Sequence, residues 1–210
     1  PPSDLSVHQM SYKALALACL ANISSMSTLR ALSRKFSWKE NPREPGMIQL
    51  FVEFTPSCKG RNGREEGIFF APLPGFNLQN LDPTFYLSEY RKRAGNSRLL
   101  DTDNLWRSNR SPGSPAAPQT IASWMRKAMI MGVVKNTTFR AHSAGMARVL
   151  LASKTNVSVD LILRRGDWSV DKDGYSKAFA DFYDKPVLYI VLTVWPSYIS
   201  LPFQERAPRF

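Results

Sequence analysis

The chain has 210 residues, 43% of them hydrophobic, which is enough for one well-packed domain or one domain with a small appendage. Lys and Arg number 28 against 17 Asp and Glu, a formal charge of +11, and such a surplus favours a polyanionic partner, nucleic acid foremost. No run reaches the roughly 18 apolar residues of a membrane span: the longest candidate, Val187 to Trp195, is closed off by Pro186 and Pro196.

In chain order, Ser6 to Asn22 places Met10, Ala14, Leu15, Leu17, Ala18 and Ala21 at helical spacing. Ile23 to Thr28 interrupts that helix, and Leu29, Ala31 and Leu32 resume the apolar pattern. Met47 to Phe54 alternates and is rich in β-branched and aromatic residues, and Glu66 to Ala71 makes a second short run. Between them, Lys59-Gly60-Arg61-Asn62-Gly63-Arg64 contains an Asn-Gly pair suited to a β-hairpin loop. Asp82-Pro83 opens the next helix, with the acid as N-cap, proline at the first helical position and Gly95 as the stop. Tyr86, Leu87 and Tyr90 form its buried stripe, and Arg91, Lys92 and Arg93 gather where the helix dipole favours cations.

Asn96 to Gln119 reads as loop, with Asn104-Leu105-Trp106 packing within it as a short strand or turn. Pro118 starts a helix with Ile121, Trp124, Met125, Ala128 and Met129 on one face, stopping at Gly132. Arg126 and Lys127 stand opposite that face, where they can meet a phosphate backbone. From His142 a further helix puts Met146, Val149, Leu150 and Ser153 together. After Thr155-Asn156, Ser158 caps a helix with Asp160 in its first turn and Leu161, Ile162 and Leu163 as its apolar body. The fold class is therefore α+β, mostly α, with a small antiparallel sheet. One domain spans 6–186 and a tail spans 187–210. No charged-then-apolar leader opens the chain. Two cysteines, Cys19 and Cys58, beside two histidines, His8 and His142, make neither a disulfide framework nor a zinc site, which fits a reducing compartment.

The stretch from Phe139 to Pro186 resembles the catalytic half of the tyrosine recombinases, the phage-integrase-like DNA strand transferases. The resemblance rests on His142-Ser143, Asn156-Val157, Gly166-Asp167-Trp168-Ser169 and Phe179-x-x-Phe182-Tyr183, in that order, with about five extra residues around Asp171 to Tyr175. It extends more thinly over Ser6 to Met131, where Gln119-Thr120-Ile121 and Trp124 match the helix before the histidine. What it implies is a nucleophilic Tyr183, with His142 and Trp168 beside the scissile phosphate and Lys59 on the hairpin protonating the departing 5′ oxygen. Arg61, Arg64, Arg126, Lys127 and Arg140 would meet the DNA backbone. No metal and no cofactor are required, because a phosphodiester is exchanged for a phosphotyrosyl bond.

The sequence departs from the family at two positions. Gly145 stands where the arginine of His-x-x-Arg belongs, and Ser25 where the first catalytic arginine belongs. Arg30 lies about 140° around a helix from Ser25 and is a poor stand-in, whereas Arg148 lies about 60° from Gly145 and is the candidate substitute. The reading is thus a DNA-binding, recombinase-like domain for DNA recombination or integration, catalytically impaired, as a relic of a mobile element or a recruited DNA-binding module. An active recombinase using a substitute arginine and a protein-interaction domain with a basic surface are the alternatives. Double-stranded DNA is the expected partner, with a homo-oligomer forming on it and no membrane. The expected location is intracellular: the nucleus in a eukaryote, otherwise the cytoplasm on DNA. The family places a helical DNA-clamping domain before the catalytic one. Too little precedes Ser6 to build it, so this chain alone is expected to encircle DNA poorly.

Overall fold

The structure is a computed structural model and describes residues 4–22, 26–56, 66–73, 76–95, 103–108, 111, 114–131, 149, 152, 157–166, 170–171, 173–174 and 176–182. Helix α1 runs Val7–Ala21 and begins in a reciprocal cap. The Ser6 hydroxyl accepts from the Gln9 N–H at 3.2 Å, and the Gln9 side chain accepts from the Ser6 N–H at 2.9 Å, so two otherwise orphaned donors are satisfied. Its stripe of Met10, Ala14, Leu15 and Ala18 is fully buried, packed against helices α3 (Pro83–Ala94) and α4 (Pro118–Met131). Among the described residues no helix is long and apolar enough to cross a membrane.

A short helix α2, Met26–Arg30, contributes buried Leu29. The expected helical continuation through Leu32 is replaced by a strand. The Ala31 N–H closes α2 on the Ser27 and Thr28 carbonyls, and the Ala31 carbonyl then accepts from the Thr55 N–H at 2.8 Å. Strand β1, Leu32–Asn41, pairs antiparallel with β2, Glu44–Phe54, which pairs antiparallel with β3, Gly67–Phe70. The expected hairpin is present, and β2 reaches further back than Met47 because it has a second partner in β1. Leu50, Val52, Ile68 and Phe70 turn one face of the sheet into the core. On the other face the Phe51 and Phe69 rings lie 4.8 Å apart, with Lys39 Nζ 3.4 Å from the Phe51 centroid.

Helix α3 starts as expected: the Asp82 carboxylate accepts from the Thr84 N–H at 2.8 Å and the Phe85 N–H at 3.4 Å. Its end differs in mechanism. Gly95 has φ −81°, an ordinary right-handed value, so the glycine is not there for left-handed backbone. A Cβ at 95 would collide with the Arg34 guanidinium and lie 2.8 Å from the Arg91 carbonyl oxygen; the requirement is for space.

Trp106, expected to pack in a turn, is buried with its indole N–H donating to the Leu29 carbonyl at 2.6 Å and its ring stacked on Tyr90 at 5.4 Å. Ile121, Trp124 and Met125 of α4 join the same core. A second cluster consists of Val149, Ala152, Val157, Ile162, Leu163 and Phe179. It is built on helices α5, Val159–Gly166, and α6, Lys177–Phe182. Of the face expected after His142, Val149 is helical and buried, while Met146, Leu150 and Ser153 lie outside the described residues. The tail at 187–210 also lies outside them.

Candidate nucleic-acid interface

Arg126 and Lys127 are the expected DNA-facing residues that the structure describes, and both are exposed on α4, the helix that buries Trp124 and Met125. The spacing accounts for Arg126, which at 3.6 residues per turn points away from the face that 121, 124 and 125 give to the core, while Lys127, one turn after Trp124, stands at the edge of that face. Lys127 is also held. Its ammonium lies 3.5 Å from the Tyr12 hydroxyl and 5.5 Å from that ring's centroid. Tyr12 in turn sits 6.0 Å from the Trp124 ring. A cation fixed on a core aromatic presents its charge at a defined place instead of sweeping through solvent.

The cationic end of α3 is differently occupied, in line with the pull of the helix dipole there. Arg93 pairs with Glu89 at 2.9 Å and donates to the Leu5 carbonyl at 3.0 Å, and Arg91 lies 4.9 Å from the Phe36 ring centroid. These side chains serve the fold.

The residues with expected chemical roles fall elsewhere. Ser25, Lys59, Arg61, Arg64, Arg140, His142, Gly145, Arg148, Trp168 and Tyr183 lie outside the described residues. Their flanking elements are described. Ser25 directly precedes α2 in sequence, and Lys59, Arg61 and Arg64 belong to the connection between β2 and β3. That connection begins and ends on a paired frame, with the Phe54 N–H donating to the Glu66 carbonyl at 2.6 Å. Helix α5 starts where expected, the Ser158 hydroxyl accepting from the Leu161 N–H at 3.3 Å.

Among the described residues of the stretch from Asp171 to Tyr175, a turn is formed. The Gly174 N–H donates to the Asp171 carbonyl at 3.1 Å, the Asp173 N–H donates to the Asp171 carboxylate at 3.0 Å, and Gly174 has φ +77°. Ser176 then caps α6, accepting from the Phe179 N–H at 3.4 Å, and Phe179 anchors that helix in the second cluster. Position 183 follows the last residue of α6 directly.

One basic residue is invisible to sequence reasoning. Arg107 is only 5% exposed, and its Nε, Nη1 and Nη2 are buried without a hydrogen-bond partner among the described residues. Nothing in Leu105-Trp106-Arg107-Ser108 marks it out, because its burial is imposed by Tyr90 and the start of β1.

No protein-family model matches the chain, and no curated protein matches it. Among solved structures it is similar to the XerH site-specific recombinase bound to a palindromic difH substrate in a post-cleavage complex, with a TM-score of 0.56 at 12% identity. The similarity covers 91% of this chain and 47% of that one, so the chain spans about half the length of the structure it matches. The likeness is one of fold: helices with a small three-stranded antiparallel sheet, in the manner of a tyrosine-recombinase catalytic domain.

Proposed function

We propose that the chain is a DNA-binding, tyrosine-recombinase-like domain of mobile-element origin whose strand-transfer chemistry is impaired. One observation carries the reading: the fold is that of a recombinase crystallised on DNA, and His142, Trp168 and Tyr183 follow one another in the family's order on a chain of net charge +11. In the intact reaction a tyrosine oxygen attacks phosphorus. The bond from phosphorus to tyrosine forms as the bond to the 5′ oxygen breaks, and a lysine at the Lys59 position hands the departing oxygen its proton. The tyrosine hydroxyl, pKa about 10, must be aimed in line, and the crowded phosphate must be held by preorganised donors. Two bidentate arginines suit that task.

Ser25 and Gly145 supply neither. Removing one preorganised donor costs on the order of 10²–10³ in rate, and losses at a shared site do not simply multiply. Duplex affinity is a separate matter, since phosphate contacts by exposed cations such as Arg126 and Lys127 do not require the catalytic forks. DNA is then the partner, with a homo-oligomer assembling on it, and the working location is wherever the DNA is, the nucleus in a eukaryotic host.

The deciding experiment offers a nicked suicide duplex to the purified chain. Binding without a covalent adduct supports the proposal. An adduct lost in Tyr183→Phe would establish an active enzyme and direct attention to Arg148. Absence of any binding at about 50 mM salt, where phosphate contacts are strong, would leave a protein-interaction surface instead.

A further inference from the structure

The segment from Asp103 to Arg107 is laid along the start of β1. The Arg34 N–H donates to the Asp103 carbonyl at 2.8 Å, the Leu105 N–H donates to the Leu32 carbonyl at 2.8 Å, and Ser33 bridges Asn104. Trp106 is pinned by its indole bond to Leu29. The Arg107 N–H donates to the Tyr90 hydroxyl at 3.3 Å, and Arg107 itself bridges Pro115. The backbone at 107 is therefore held from several directions, and its side chain is carried inward with it.

The guanidinium that arrives there has five N–H donors, none of which meets an acceptor among the described residues. Such a group does not surrender its proton in a protein, and an unpaired buried cation is among the most costly features a fold can carry. Burial, and after it the field of a second cation, Arg34, lower the proton affinity of Arg107. Arg34 is half-buried, and its guanidinium lies over the end of α3, where Gly95 leaves room for it. The Tyr90 oxygen already accepts from the Arg107 N–H, and burial keeps its own O–H protonated. The lining is donor upon donor.

We propose that Arg107 and Arg34, with the Tyr90 hydroxyl between α3 and the 103–107 segment, form an internal site for one oxyanion of the phosphate class. Two guanidinium forks match a tetrahedral oxyanion, which can accept a bidentate pair from each. Arg107 forms the floor of the site. Arg34, the half-buried member, is the side nearer solvent. The anion comes either from solution or from a nucleic-acid backbone, and the chemistry of capture is the same. This inference does not rest on the recombinase reading and stands or fails separately from it.

The test uses the full chain and inorganic phosphate. In about 10 mM phosphate, against chloride at equal ionic strength, the melting temperature rises by at least about 3 °C. Arg107→Met, which keeps the side-chain length and removes the charge, abolishes that rise while the far-UV circular dichroism stays unchanged. Arg107→Lys, which keeps a charge and loses the fork, retains less than the full rise. Should Arg107→Met fail to fold, Arg34→Met makes the same comparison at a more tolerant position.

Equal melting in phosphate and chloride overturns the proposal. So does a phosphate response that survives Arg107→Met, or Arg34→Met in its place, because the ion would then be adventitious on the surface. A short duplex identifies the source. Phosphate that displaces duplex from the natural chain but not from the folded variant marks the ligand as a backbone phosphate. Phosphate stabilisation with duplex affinity unchanged marks it as a free anion.

Discussion

Trp106 shows how one side chain ties distant parts of this molecule together. Its indole N–H reaches the Leu29 carbonyl at 2.6 Å while its ring stacks on Tyr90. Trp106→Phe keeps most of the stack and leaves a buried carbonyl without its donor, so chemical denaturation should show a loss of about 1–3 kcal/mol. A loss under about 0.5 kcal/mol, typical of surface changes, would mean that the bond does not form in solution. Cys19 offers a pH test. Burial pushes its thiol from 9.0 up to about 12, so between those values the unfolded chain ionises and the native chain does not. Stability attributable to this group is complete below pH 9 and falls as pH rises, by about 1.4 kcal/mol per unit, until the native thiol titrates. Comparing the natural chain with Cys19→Ala across that range isolates the effect, and parallel curves would contradict it.

Among the elements, α3 and α4 carry the clearest expectations. The Asp82 cap satisfies N–H groups at the start of α3, and Asp82→Ala should cost about 0.5–2 kcal/mol. At the other end, Gly95→Ala would be favourable by helix propensity. Here it should destabilise instead, by about 1–3 kcal/mol, because the Cβ meets Arg34 and the Arg91 carbonyl. A Gly95→Ala chain that melts higher than the natural one would refute the crowded geometry. On α4, replacing both Arg126 and Lys127 by alanine removes exposed cations without touching the buried face. Duplex affinity should then weaken evenly across sequences. The slope of log affinity against log salt should shrink by about 2, near 0.9 for each phosphate no longer neutralised.

At the scale of the whole molecule, the sharpest expectation concerns the two substituted positions. On the proposed reading, Ser25→Arg with Gly145→Arg would restore the pair of forks that the chemistry needs around a scissile phosphate. The double variant should bind nicked duplex more tightly than the natural chain, and its covalent adduct, if formed, should vanish with Tyr183→Phe. Arginine is a good helix former, better than glycine by about 0.8–1 kcal/mol at a helical position, so neither change works against helix formation. A double variant with weaker duplex binding would show that the two positions do not face a common phosphate.

The features legible from sequence were those whose cause is local. Periodicity disclosed α1, α3, α4 and the body of α5, since an amphipathic stripe is written in consecutive residues. Asp82-Pro83 and Ser158 disclosed helix starts because a cap acts on N–H groups two or three positions away. The Asn-Gly hairpin disclosed β2 and β3. What tertiary structure decided was whatever depends on a partner far along the chain. Strand β1 carries Arg34, Lys35, Lys39 and Glu40 and lacks an apolar alternation, so its sequence does not announce a strand. It becomes a strand because β2 offers a ladder of N–H and C=O groups from Phe54 back to Glu44. Gly95 was legible as a stop but not for its reason, which is the approach of Arg34 from β1. Arg107 is the extreme case. In sequence it is one basic residue among many in a loop, and only the convergence of Tyr90, Trp106 and the start of β1 turns it into a buried cation.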